Sequence, residues 1–155
     1  KYSSNFDNYS SLVADIVPFI ESRYNVIAKK SGRAIAGLSM GGGQSFYIGF
    51  RNADKFSSVG IFSSGLIGSS AIGREPFDAE KQVPGMLTTP EKFNRFDVIY
   101  LACGEQDNRI DGMKAFKETL DSKGYEGVVW EQCPGGHEWK VWRRNLTSFV
   151  QLIFK

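Results

Sequence analysis

The stretch Gly37-Leu38-Ser39-Met40-Gly41 constrains this chain more than any other, because of what flanks it. Arg33-Ala34-Ile35-Ala36-Gly37 reads as a short strand running straight into Ser39, and the glycine cluster Gly41-Gly42-Gly43 opens a helix reaching about Phe50. A serine in a sharp strand-to-helix turn takes a strained backbone conformation that lifts its hydroxyl above the sheet. Side chains two residues before and after it are expected to collide, so glycine is expected to be required at 37 and at 41. Gly42 and Gly43 should let the helix pack closely. The turn also aims a helix amino end at the hydroxyl and leaves the Met40 amide free to face a developing negative charge.

The rest of the chain fits an alternation of strands and helices. Tyr9 to Tyr24 carries Leu12, Val13, Ile16, Val17, Phe19 and Ile20 at helical spacing, with Pro18 expected to bend the helix. Phe56 to Phe62 is a predicted strand stopped by Ser63-Ser64-Gly65. Asp97 to Cys103 is a nearly continuous apolar run, as a strand buried on both faces should be, and Gly104 ends it. Gly112 to Lys123 is a predicted helix and Gly127 to Cys133 the last predicted strand. Trp139 to Phe154 is the final helix, with Val141, Trp142, Leu146, Phe149, Val150 and Ile153 on its apolar side. Leu66 to Arg95, with dispersed glycines and prolines and no sustained period, reads as an excursion over the sheet of the kind that forms lids or binding loops.

Such alternation implies an α/β fold, a parallel sheet with helices on both faces, and in such sheets functional residues gather beyond the carboxyl ends of the strands. That rule selects candidates. A serine hydroxyl needs a base within hydrogen-bond reach, usually imidazole, and His137 is the chain's one histidine. It follows the last strand in Pro134-Gly135-Gly136-His137-Glu138-Trp139, at the required edge. The base in turn needs a carboxylate to fix its tautomer. Glu105, Asp107 and Asp111 all follow the strand ending at Cys103, whereas Asp97 opens that strand at its wrong end and Glu138 adjoins the histidine too closely. Asp107 is the preferred acid. The order Ser39, Asp107, His137, each after a different strand, is the order used by α/β-hydrolases.

The segments Arg33 to Ser45, Ala102 to Asp107 and Gly135 to Trp142 resemble the family known as Putative esterase, and within it the feruloyl esterases of carbohydrate esterase family 1. The resemblance covers nearly the whole chain and is weakest from Leu66 to Arg95. It implies catalytic roles for Ser39, Asp107 and His137, with the Met40 amide as one oxyanion donor. It implies hydrolysis of hydroxycinnamoyl esters on plant cell-wall arabinoxylan, no metal or organic cofactor, and a secreted protein. Trp139 and Trp142, near the excursion, are candidates to hold the aromatic ring, with core packing as the other use of those side chains. Family domains are longer, so residues 1–155 are expected to form one esterase domain lacking its amino-terminal strands and the loop bearing the second oxyanion donor. The strand at 33–37 would then have an open neighbour, which a second chain could fill. The same residues also serve acetylxylan esterases, S-formylglutathione thioester hydrolases and acyltransferases. A reading of another class is a non-catalytic binding module on the same fold, against which the intact Ser39, Asp107 and His137 speak.

Composition sets the outer limits. With 155 residues, 41% of them apolar, the chain can bury a core. Its net charge of +2 comes from nearly equal numbers of acids and bases, so nucleic acid is not an expected partner. Lys140, Arg143 and Arg144 read as a solvated helix face. No run of about 18 apolar residues is present, so no membrane span is expected. Cys103 and Cys133 are read as buried thiols. Asn8-Tyr9-Ser10 and Asn145-Leu146-Thr147 match the glycosylation acceptor pattern, which fits secretion.

Overall fold

A computed structural model describes residues 11–65 and 77–155. Four strands, β1 (Ala34–Leu38), β2 (Ser58–Phe62), β3 (Val98–Gly104) and β4 (Val128–Cys133), form one sheet in the order β1-β2-β3-β4, every pair parallel. Between and around them lie α1 (Val17–Arg23), α2 (Met40–Arg51), the short α3 (Ala79–Gln82), α4 (Ile110–Ser122) and α5 (Trp139–Val150). Parallel neighbours need a crossover: α2 lies in the connection from β1 to β2 and α4 in that from β3 to β4, while the connection from β2 to β3 is the longer one that holds α3.

Alternation along the central strands divides the core into two. Val59, Ile61, Ile99, Leu101 and Cys103 face α2 and α4, meeting Phe46, Phe50, Met113, Phe116 and Leu120. Phe62, Tyr100, Ala102 and Cys133 face the other way, against Val141, Trp142 and Phe149 of α5. Helices therefore cover both faces of the sheet. The two cysteines are free and buried, and since they point to opposite faces they cannot approach each other.

Three elements depart from the sequence-based expectations. The predicted first helix, whose start at Tyr9 lies outside the described residues, runs as a π-helical stretch, Leu12–Ile16, into α1, which holds Pro18 in its first turn; the ring lacks the N–H an ordinary α-turn would use. Val13 is buried, but Ile16, Phe19 and Ile20 are exposed among the described residues. In α5, Leu146 and Val150 are exposed instead of packed, and the helix ends at Val150. Asn145 is the buried residue of that turn. One acceptor pattern therefore centres on an asparagine closed off from solvent, while Asn8 lies outside the described residues.

The excursion is the third. Its part at 66–76 lies outside the described residues, and the remainder is packed against the core, unlike an overlying loop. Phe77 meets Phe46 and Phe116 edge-on, Val83 and Met86 are fully buried, and the Tyr125 hydroxyl donates to the Met86 carbonyl at 2.7 Å. The Glu80 carboxylate accepts from the Gly85 and Leu87 amides and the Thr88 hydroxyl, so the 80–88 turn is organised by one side chain.

At the carboxyl edge of the sheet the backbone ladder continues beyond the strands. The Ser39 amide donates to the Phe62 carbonyl at 2.8 Å, the Ser63 amide to Ala102 at 2.8 Å, and the Glu105 amide to Cys133 at 2.9 Å. Each loop leaving this edge is thus tied to the next strand.

Candidate active site

Ser39 sits between β1 and α2 with φ 53° and ψ −117°, outside the region L-residues prefer. The close approach of α2 to β1 makes this possible. A Cβ on Gly37 would lie 2.2 Å from the Gly41 carbonyl oxygen, so position 37 must be glycine. A Cβ on Gly41 meets nothing within 4 Å, so the requirement expected there is absent: the crowded partner is the Gly41 backbone, which any residue would supply. Gly42 is held close to Ser64 and the Phe62 carbonyl, as expected of the helix approach. Met40 opens α2, and at that position an amide has no acceptor within the helix. Its side chain is exposed.

Asp107 follows β3 in a tight turn, its amide donating to the Gly104 carbonyl at 3.1 Å. Its side chain is fully buried, whereas Glu105 and Asp111 are exposed. Burial alone would raise the Asp107 carboxyl. Hydrogen bonds from His137, the Arg109 amide, Ser63 and the Arg109 guanidinium outweigh it and hold the group below its ordinary range. Asp107 Oδ1 accepts from the Arg109 amide at 3.1 Å and from Arg109 Nη1 at 3.2 Å, while Oδ2 lies 2.8 Å from His137 Nδ1.

His137 Nε2 lies 2.9 Å from the Ser39 hydroxyl oxygen. The imidazole thus bridges Asp107 and Ser39, and with Nδ1–H donating to the carboxylate, Nε2 presents its lone pair to the hydroxyl. Two features hold the histidine loop. A Cβ on Gly104 would lie 2.3 Å from the Gly135 carbonyl oxygen, so this glycine lets the loops after β3 and β4 touch. Gln106 then pairs with Gly135 at both ends: its amide donates to the Gly135 carbonyl at 3.0 Å, and its side-chain carbonyl accepts the Gly135 amide at 2.6 Å.

Trp142 stands edge-on to the His137 ring, centroids 4.8 Å apart, and Trp139 stands edge-on to Trp142 at 5.4 Å. Trp142 is 8% exposed and Trp139 63%. Of the two, only Trp139 offers a broad face to a ligand, while Trp142 limits how the histidine ring can turn.

All three residues selected from the sequence for nucleophile, acid and base come together at one edge. Sequence reasoning missed Gln106, Arg109 and Ser63. Gln106 and Arg109 flank the acid, but nothing in a single sequence marks which polar loop residues turn inward, and Ser63 was legible only as the end of a strand. Among the described residues no group of His, Cys, Asp and Glu side chains is arranged to hold a metal ion, and no helix is long and apolar enough to cross a membrane.

The family described as Putative esterase matches residues 1–153. An endo-1,4-beta-xylanase/feruloyl esterase of Xylanibacter ruminicola is 30% identical over 146 residues, covering 93% of this chain and 17% of that protein. An acetyl esterase of Caldicellulosiruptor saccharolyticus is 24% identical over 164 residues, covering 91% of this chain and 61% of that protein. Among solved structures, a ferulic acid esterase superposes with a TM-score of 0.74 at 26% identity, covering 95% of this chain and 62% of that one. The chain therefore spans less than two thirds of the length of each of these proteins.

Proposed function

The chain belongs to the Putative esterase family of α/β-hydrolase fold, and from that premise we propose that it is a serine esterase acting on hydroxycinnamoyl esters of plant cell-wall xylan. The observation that supports it most is the unbroken line from Asp107 through His137 to Ser39, at 2.8 and 2.9 Å. In this reading Ser39 Oγ attacks the ester carbonyl while His137 Nε2 takes the hydroxyl proton. Asp107 keeps the imidazole in the required tautomer and stabilises the imidazolium. The oxyanion faces the Met40 amide. Collapse of the tetrahedral intermediate breaks the bond to the alcohol, which leaves with the proton from His137. Water, deprotonated by the same nitrogen, then attacks the acyl-serine and frees the acid.

Two relatives motivate the feruloyl choice, the xylanase/feruloyl esterase and the ferulic acid esterase, and the exposed Trp139, which packs on the Trp142 that meets His137, suits an aromatic acyl group. Such substrates lie outside the cell, so the reading places the protein there. The relative named as an acetyl esterase keeps a second reading open, hydrolysis of acetylated xylan.

The test is the protein's turnover of methyl ferulate, acetylated xylan and an acyl thioester side by side, with Ser39→Ala as control. The alanine variant should keep its fold and lose about a thousandfold or more in activity. Retention of a tenth of the activity or more would remove Ser39 from the nucleophile's role. Preference for acetylated xylan or the thioester over methyl ferulate would replace the substrate.

A further inference from the structure

Gly65 lies three residues beyond β2, and its backbone does not call for glycine, since its φ is outside the left-handed region. The space beside it does. A Cβ at this position would lie 2.9 Å from Arg109 Nε, 3.7 Å from Arg109 Cδ and 3.8 Å from Arg109 Cζ, and these are the three nearest atoms. Position 65 is therefore kept small for one side chain, which comes from the loop after β3.

Arg109 uses its guanidinium unequally. Nη1 donates to Asp107 Oδ1 at 3.2 Å and to Asn108 Oδ1 at 2.9 Å. Nε is buried and has no hydrogen-bond partner among the described residues. A buried N–H without an acceptor is a cost, so the seat against Gly65 is a poor one for the arginine by itself. What the seat provides is the charge-assisted bond to the carboxylate. Oδ1 of Asp107 also accepts from the Arg109 amide at 3.1 Å, while Oδ2 meets His137 Nδ1 at 2.8 Å. The torsion that turns a carboxylate is soft, so one donor on Oδ1 leaves the direction of Oδ2 loosely set. Two donors fix the plane. Any residue but proline would supply the amide at 109, whereas the second donor requires the guanidinium in its seat.

We propose that Arg109 is a positioning residue for the acid, wedged between Gly65 and Asp107 so that its guanidinium fixes the carboxylate plane and aims Oδ2 at His137 Nδ1. This rests on the serine-esterase reading above. Loss of the guanidinium lets the carboxylate turn and the imidazole leave its line to Ser39. Turnover should therefore fall while KM stays the same.

Arg109→Met keeps an apolar stem and removes the guanidinium. Two rates are followed, labelling of Ser39 by a fluorophosphonate and turnover of whichever ester in the panel above is hydrolysed fastest. Labelling and kcat should each fall roughly tenfold, with KM within about twofold of the parent. In an Asp107→Asn background the same change should slow labelling no further, because the charged carboxylate that the guanidinium holds is gone. Gly65→Ala disturbs the seat and leaves the arginine in the chain. It should slow labelling about threefold in the parent and not at all in Arg109→Met. An undiminished kcat in Arg109→Met overturns the proposal, as does slowing by the same factor in the parent and in Asp107→Asn. Gly65→Ala overturns it too if labelling is unchanged in the parent, or is slowed equally with and without the guanidinium. Should Arg109→Met fail to fold, Gly65→Ala in the parent and in Asp107→Asn decides by the same comparison. Under any of these results, inactivity of Ser39→Ala would leave the esterase reading standing. Substantial activity in Ser39→Ala would instead fail that reading, and the proposal with it.

Discussion

Gln106 and Gly135 exchange two hydrogen bonds, at 3.0 Å and 2.6 Å, and so join the loop that carries Asp107 to the loop that carries His137. Asp107 and His137 are adjacent because their loops are clamped one residue before Asp107 and two before His137. Replacing Gln106 by alanine leaves only the backbone half of the clamp. The expected cost is about 1 kcal/mol of stability and roughly a fivefold loss in kcat, as the histidine spends less time in line with Ser39. Urea unfolding and steady-state kinetics measure both; unchanged kinetics would show that the remaining bond suffices.

Gly37 and Gly41 separate cleanly. Gly37→Ala drives a methyl group to 2.2 Å from the Gly41 carbonyl, forcing β1 and α2 apart, and should cost about 3 kcal/mol or more and most of the activity. Gly41→Ala enters open space within the first turn of a helix and should be neutral or stabilise by up to about 1 kcal/mol. Thermal melting of the two variants decides it, and equal damage from both would contradict the geometry.

Asp107 makes stability depend on acid in a defined direction. Its folded carboxyl titrates below the ordinary value of 3.8, so the unfolded chain takes up the proton first as pH falls. The stabilisation is complete above that ordinary value and is lost as pH drops through the lower folded value. Asp107→Asn should be less stable than the parent near neutrality, and its urea midpoint should change less between pH 5 and pH 3 by about the parent's extra loss. Parallel pH dependences would refute the assignment of this carboxylate as the tightly held one.

Trp139 provides the test of ring binding. Being 63% exposed, it contributes little to the core, so Trp139→Ala should change stability by under about 0.5 kcal/mol. If its face holds a hydroxycinnamoyl ring, KM for methyl ferulate should rise severalfold while hydrolysis of an acetyl ester is unaffected. Equal effects on both esters would assign Trp139 to supporting Trp142 instead.

The elements were legible where period and punctuation agree. β3 was evident from a continuous apolar run ended by Gly104, and β2 from its apolar residues stopped by Ser63-Ser64-Gly65. The candidate site was legible for a different reason: with a single histidine, a nucleophile turn and a strand-end rule, few combinations remain. What stayed hidden depends on tertiary packing. Leu146 and Val150 carry the right period but face outward, because the sheet surface opposite them is already covered by Val141, Trp142 and Phe149. Asn145 is polar yet buried, and no pattern in one sequence distinguishes it from a surface asparagine. Residues 77–95 look like a loop by composition, though Phe77, Val83 and Met86 enter the core without helical or strand spacing.

The three bonds that extend the ladder past the strand ends, from Ser39, Ser63 and Glu105 to Phe62, Ala102 and Cys133, use main-chain atoms alone. A scaffold held in this way is indifferent to the identity of the side chains at its rungs. Side chains around the Ser39 hydroxyl can therefore be exchanged while its spacing from the His137 imidazole, 2.9 Å, is kept. That decoupling directs efforts to change the substrate toward side chains that rise above the ladder.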